Sequence, residues 1–252
     1  MSMFRCICGQ PIEGADGDEL YAHLRAHADE AHPEFDFSDA DIRQVIADHA
    51  RMAPWDGTPR RLSGAPRICA LDRDPEAFLA FFDREAFVEN PMWAGCYCMF
   101  PHLALTDDAW GARTGEQNRA DKIALIRRGE AHGYQAFDGD RMIGWCHAAP
   151  RETLPGIASR PAFRIEDDPA RIGSIACFVV AAPYRRQGVA HRLLEAACDG
   201  LREAGMAFAE GYPRREADSD AREHFGPLAM YLAAGFHVHR EGERNLIVRK
   251  QL

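Results

Sequence analysis

The residues best placed for chemistry lie in a short loop where Arg185, Gly188 and Ala190 occupy the first, fourth and sixth positions. The loop follows the apolar run Ile175-Ala-Cys-Phe-Val-Val180 and the link Ala-Ala-Pro-Tyr184. It opens onto Val189, Leu193, Leu194, Ala197 and Leu201 at helical spacing. A strand that turns through small residues into a helix suits a phosphate, because the first N–H groups of a helix lack partners and carry the positive end of its dipole. Gly188 and Ala190 contribute by being small, since larger side chains would hold the backbone away from an anion. Such turns also occur as plain connections in α/β folds, so the surrounding sequence has to decide.

A second set opens the chain. Cys6-x-Cys8, then fourteen residues, then His23-x-x-x-His27 offers two thiolates and two imidazoles, and histidines four apart share a helical face. The set Cys6, Cys8, His23 and His27 suits a structural zinc ion. A one-residue gap strains chelation by the cysteine pair, and His32 is a substitute ligand. The competing reading is small buried thiols beside histidines on a partly buried helix. A thin core gains disproportionately from a metal, which tips the balance toward zinc.

The elements that must position these groups follow from periodicity and punctuation. A hairpin or knuckle is expected over 4–12, a helix over 18–32, and a second helix over 39–52 capped by Ser38. Residues 53–66, with Gly57, Pro59 and Gly64, read as a linker. Next come a strand over 67–71, a helix over 75–87 and a helix over 116–131. A hairpin around Asp138-Gly139 then joins 134–137 to 142–147. The nearly all-apolar run 172–180 reads as a strand covered on both faces. Between linker and loop, Asn90-Pro-Met-Trp93-Ala-Gly-Cys96-Tyr97-Cys98-Met-Phe100 is dense in aromatic and soft side chains, and here an apolar pocket or core is favoured over metal.

The loop resembles the phosphate loop of the GNAT superfamily of acetyl-CoA-dependent N-acetyltransferases, Arg/Gln-x-x-Gly-x-Gly/Ala. Its lead-in Val180-Ala-Ala-Pro-Tyr184-Arg185 has the proline displaced by one position. A second family block, Leu228-Ala-Met-Tyr231-Leu-Ala-Ala-Gly235-Phe236, follows about 45 residues on. The resemblance covers roughly residues 66 to 252 and implies an α/β GNAT fold with a mixed, mostly antiparallel sheet flanked by helices. It places backbone groups of Phe178 and Val180 beside the pantetheine of acetyl-CoA. It also sets Arg185, Arg186, Gln187, Gly188, Val189 and Ala190 in the cofactor site, with the amides from Arg186 onward around the pyrophosphate.

Tyr231 occupies the family's general-acid position, and a phenol titrating near 10 can protonate a thiolate of similar basicity. Glu210, a polar interruption in Met206-Ala-Phe-Ala-Glu-Gly-Tyr212, is the candidate general base, with His147, His191 and His224 as alternatives. The block around Trp93, with Gly-Trp145-Cys-His147-Ala-Ala-Pro, resembles more weakly the aminoglycoside 2'-N-acetyltransferases of the kasugamycin-inactivating kind. Trp93, Tyr97 and Trp145 are the expected aromatic contacts to a cationic amine, with carboxylates such as Glu85, Glu89, Asp107 and Asp167 available nearby.

Charge and composition bound the remainder. Residues 1–52 hold four arginines against eleven carboxylates, a net of −7 in a chain of net −9, which disfavours a nucleic-acid partner. This acidic appendage is expected to support the enzyme domain, to mediate self-association as a homodimer, or to line a site for a cationic substrate. No apolar run reaches the length of a membrane span and the first residues lack a signal segment, so a cytoplasmic location with reduced cysteines is expected. The expected organisation is a Cys/His unit at 1–52, a linker at 53–66 and an acetyltransferase domain at 67–252. A non-catalytic acyl-CoA sensor and a protein-lysine acetyltransferase stand as alternatives.

Overall fold

A computed structural model describes residues 2–6, 8, 10–53, 55–216 and 223–252. The chain begins with a hairpin, β1 (Ser2–Arg5) and β2 (Pro11–Gly14), followed by α1 (Gly17–Ala31) and α2 (Asp39–Arg51). Asp16 caps α1, and Ser38 forms a capping box with Asp41 at the start of α2, as its sequence suggested. Phe4, Ile12, Leu20, Leu24, Ala28 and Ile42 close a small core of their own.

The main sheet is built from β3 (Arg67–Ala70), β4 (Tyr134–Asp138), β5 (Arg141–Pro150), β6 (Ile172–Val180), β7 (Phe208–Gly211), β8 (His237–Glu241) and β9 (Leu246–Gln251), in the order β3-β4-β5-β6-β7-β9-β8. Every pair is antiparallel except β6 with β7, which gives the expected mixed sheet. The helices are α3 (Glu76–Arg84), α4 (Asp107–Gly111), α5 (Gly115–Arg128), α6 (Pro155–Ala158), α7 (Val189–Glu203) and α8 (Leu228–Ala233).

The two faces of the sheet are separately covered. A Cβ on Gly144 would meet Val189 and Leu193 of α7, whereas the neighbouring Trp145 ring meets Phe78 of α3 edge-on. Alternation along β5 therefore puts Gly144 and Cys146 toward α7 and Trp145 and His147 toward α3. Among the described residues, no helix is long and apolar enough to cross a membrane.

The stretch 53–66 is less of a free linker than its composition suggested. Arg60 N–H donates to the Pro183 carbonyl, and the Gln187 side chain clamps the same stretch, accepting from Leu62 N–H at 3.1 Å and donating to the Arg60 carbonyl at 2.7 Å. Both anchors lie far away in sequence, so periodicity carried no trace of them.

Candidate active site

Two irregularities of β6 create the site. Its register with β5 passes from His147 opposite Cys177 to Ala148 opposite Ile175, so Ala176 is an extra residue in a β-bulge. On its other edge β6 pairs with β7 only from Ile172 to Ile175, and beyond that point the two strands splay. Phe178 N–H points into the splay and donates to the His224 carbonyl at 2.6 Å. Val180 lies on the same edge by alternation, and its carbonyl accepts from Arg185 Nε at 3.1 Å.

The loop at the end of β6 has the conformation its glycine required. Gly188 is left-handed, with φ +80, and is the N-cap of α7, and Arg186 is also at positive φ, 60. The helix-opening amides of α7 lack intrahelical partners by geometry. Val189 is buried against the sheet, anchoring the helix rather than facing a ligand. The Arg185 guanidinium turns back to Glu89 and the Val180 carbonyl. Beside the loop, Trp55, Arg60, Arg61, Arg186 and Gln187 line a cavity of about 690 Å³. Arg60 and Arg61 went unnoticed in the sequence because only the Gln187 clamp brings them here.

A larger cavity, about 1390 Å³, lies between the appendage and the sheet. Its walls include Trp93, Cys96, Cys98, Cys177, Phe178 and Val180 from the main domain and Leu24, His27 and Val45 from the appendage. Trp93 is half-buried and tilts over the His224 ring with centroids 5.9 Å apart. The other two expected acceptor contacts are displaced from this role. Tyr97 is 2 % exposed and donates its hydroxyl to Asp83 at 2.6 Å, while Trp145 is fully buried against Phe78. Packing claims both, because a ring on the inner face of a strand or at the end of a tight turn is worth more in the core. The expected carboxylates are mostly taken up by arginines: Glu85 by Arg141, Glu89 by Arg185, Asp107 by Arg160 and Asp167 by Arg249.

Glu210 is also fully buried. Its Oε1 accepts from Arg249 Nε at 3.0 Å and from a second Arg249 nitrogen at 2.6 Å, and Arg151 lies 3.8 Å from Oε2. Such a carboxylate balances buried guanidinium charge and is poorly placed to collect a proton from an amine. Removing the carboxylate leaves buried Arg151 without its counter-charge and Arg249 with only the half-exposed Asp167, so Glu210→Gln is expected to cost about 3–5 kcal/mol of stability, measured by chemical denaturation. A loss under about 1 kcal/mol would contradict this role.

Tyr231 is fully buried on α8, its ring against Gly211 and Phe178, its hydroxyl donating to the Phe225 carbonyl at 2.8 Å. Burial pushes its phenol well above the usual value, so it stays protonated across the neutral range, as an acid must.

On the α3 face, Cys98 Sγ lies 3.3 Å from His147 Nδ1. Both residues are buried, and among the described residues the His147 Nε2 has no hydrogen-bond partner. Tyr97 and Cys98 are both left-handed, with φ 44 and 49, a conformation costing roughly 1–2 kcal/mol for each non-glycine residue. Lys122, fully buried on α5, donates to the Cys98 carbonyl at 3.0 Å. Burial pushes the Cys98 thiol up, but donation from the Cys177 thiol and the nearby His147 and Lys122 outweigh it and hold Cys98 well below the usual thiol range. Burial instead pushes the neighbouring Cys96 up to about 12.

In the appendage the structure brings together Cys6, Cys8, His27 and His32, with their ligand atoms all within 4.8 Å of one another. Cys6 Sγ is 3.2 Å from His32 Nε2, and Cys8 Sγ is 3.4 Å from His27 Nε2. Zinc bonds of 2.0–2.3 Å in a tetrahedron set ligands about 3.5 Å apart, so the donor set fits. His23 is not in the set, since its Nδ1 faces the Glu13 carbonyl at 2.6 Å across the hairpin. His32 takes its place because α1 ends at Ala31 and His32, at φ −138, swings off the helix axis.

The bulged central strand, with a left-handed glycine opening the helix that follows it, is the arrangement expected of an acyl-CoA-dependent transferase. Residues 102–225 match the family model described as "Acetyltransferase (GNAT) family", a span that holds β4 to β7, the bulge and the loop at Arg185 to Ala190. These residues are similar to GNAT acetyltransferases, a match over just under half of the chain that supports an acetyl-CoA-dependent N-acetyltransferase.

Solved structures with a similar fold include the PaiA N-acetyltransferase of Thermoplasma acidophilum in complex with coenzyme A, at 14% identity, covering 75% of this chain and 100% of that one, with a TM-score of 0.48. Others are an N-acetyltransferase of Staphylococcus aureus Mu50, at 12%, 75%, 99% and 0.44, and the ribosomal-protein-alanine N-acetyltransferase of Brucella melitensis, at 15%, 74%, 99% and 0.44. Comparison with curated proteins found no match.

Proposed function

We propose that this enzyme acetylates a primary amine of a small cationic molecule, an aminoglycoside such as kasugamycin being the type its sequence resembles. The observation that carries this reading is the cavity of about 1390 Å³, which is walled by the appendage as well as the sheet. That is larger than the few hundred to about 1000 Å³ of a usual small-molecule pocket, as a site for both donor arm and acceptor should be. A recess walled on one side by the acidic appendage favours a small cationic acceptor. In this reading the pantetheine lies along Phe178 and Val180 and displaces the His224 carbonyl. The Arg186 to Ala190 amides hold the pyrophosphate, with Arg60 and Arg61 beside them, and Trp93 faces the acceptor.

Tyr231 protonates the departing thiolate once the cofactor draws its hydroxyl from the Phe225 carbonyl. Tyr231→Phe is then expected to lower kcat by about 100-fold with little change in acetyl-CoA affinity, measured by steady-state kinetics and calorimetry. Unchanged turnover would remove Tyr231 from the mechanism.

Cys6, Cys8, His27 and His32 hold a structural zinc ion that stiffens the appendage as one wall of the cavity. The whole reading is tested by following free-thiol release from acetyl-CoA across a panel of amines that includes kasugamycin, other aminoglycosides and lysine peptides. Turnover confined to lysine peptides would favour the protein-lysine alternative, and tight acetyl-CoA binding without turnover would favour a sensor.

A further inference from the structure

The buried Cys98–His147 pair on the α3 face of the sheet is not used by the direct-attack reading above. Cys98 and the splayed edge of β6, with Phe178 and Val180, line one cavity. Cys98 Sγ lies 3.3 Å from His147 Nδ1, and His147 sits opposite Cys177 at the β6 bulge, where the reactive end of the donor is expected. Three features argue against a merely structural thiol. The His147 Nε2 is buried without a hydrogen-bond partner among the described residues, a cost that packing alone does not explain. The chain holds Cys98 and the residue before it in the left-handed region, which aims a side chain at the expense of backbone strain. Lys122, fully buried, donates to the Cys98 carbonyl, and its positive charge when protonated favours loss of the Cys98 proton.

We infer that Cys98, activated by His147, is an acyl-accepting nucleophile, so that the acetyl group passes through a Cys98 thioester before it reaches the amine. This rests on the acetyltransferase reading above. In the first half, His147 takes the Cys98 proton and the thiolate attacks the acetyl carbonyl carbon. The bond from that carbon to the coenzyme A sulfur breaks, and the departing thiolate takes the Tyr231 proton. In the second half, the neutral amine attacks the acetyl carbon, the bond to Cys98 breaks, and His147 returns its proton to the sulfur. The proton released by the amine restores Tyr231 through solvent. One thioester replaces another, so no oxidant or further co-reactant is needed.

The full-length protein is incubated with radiolabelled acetyl-CoA in the absence of amine, quenched in acid and mapped by peptide mass spectrometry, and free thiol release is followed in parallel with and without an acceptor. The expected result is one acetyl group on Cys98, a stoichiometric burst of coenzyme A, and discharge of the label on adding the acceptor. Cys98→Ser and Cys98→Ala abolish the label while still binding coenzyme A by calorimetry, which shows that they fold. His147→Gln slows labelling by about 100-fold. Absence of label on Cys98 in protein that releases coenzyme A with an amine overturns the covalent route and leaves the acetyltransferase reading standing. Absence of both label and amine-dependent release overturns the two together. Label on another residue, or full turnover by Cys98→Ala, also overturns the Cys98 route.

Discussion

Replacing Gly188 with Glu is expected to abolish acetyl-CoA binding while leaving the fold intact. Nothing lies within 4 Å of a Cβ built on Gly188, so the new side chain meets no wall and α7 still packs through Val189, Leu193 and Leu194. The backbone strain of a non-glycine residue at φ +80 costs roughly 1–2 kcal/mol. The carboxylate itself is favourable at a helix N-terminus, which offsets part of that strain while the side chain occupies the anion's place. A like charge about 4 Å from the pyrophosphate costs on the order of 4 kcal/mol near a protein surface, or about 1000-fold in affinity. Gly188→Ala separates the two effects, since it carries the strain without the charge and is expected to bind only about tenfold more weakly. Calorimetric titration with acetyl-CoA reads both variants. Binding by Gly188→Glu within tenfold of the unaltered protein would mean that the pyrophosphate lies elsewhere.

Stripping zinc from the appendage is expected to have the second large effect. The core of this unit is small, with Phe4, Cys6, Ile12, Leu20, Leu24, Ala28 and Ile42 buried, and such a core stabilises little by itself. Structural zinc binding contributes about 10–16 kcal/mol in comparable small units. A chelator, or His27→Ala, is expected to melt the appendage at a lower temperature than the sheet domain, splitting one thermal transition into two. Since Leu24, His27 and Val45 line the large cavity, acetyl transfer should fall with it. Metal analysis of untagged protein should find about one zinc per chain, lost in His27→Ala and His32→Ala but retained in His23→Ala. Zinc retained in His32→Ala and lost in His23→Ala would restore the ligand set that simple helical spacing suggests.

These histidines show where reading along a chain stops. Two imidazoles four apart on a helix share a face, which points to His23 and His27. The pair the structure assembles is five apart, because His32 lies beyond the last helical residue and obeys different geometry. Tyr97 and Trp145, expected as acceptor contacts, are buried in packing for a related reason. Aromatic density marks both cores and pockets, and only the strand register and the neighbouring helices tell the two apart. Glu210 looked like a lone polar interruption, whereas its partners Arg249 and Arg151 are 39 and 59 residues away and invisible to local pattern.

What the sequence determined by itself was everything governed by local conformation. The Ser38 cap, the apolar stripe of α7, the strand over Ile172–Val180 and the turn through Gly188 into α7 all appear where residue type and spacing put them. Short-range sterics and hydrogen bonding dictate these, so a few neighbours carry the information. The tertiary structure alone decided the splay of β6 from β7, the 53–66 segment held over the phosphate loop by Gln187, and the meeting of Cys98 with His147 across 49 residues. Each depends on which distant surfaces the hydrophobic effect brings together, and that non-directional force leaves no mark of partner in the sequence.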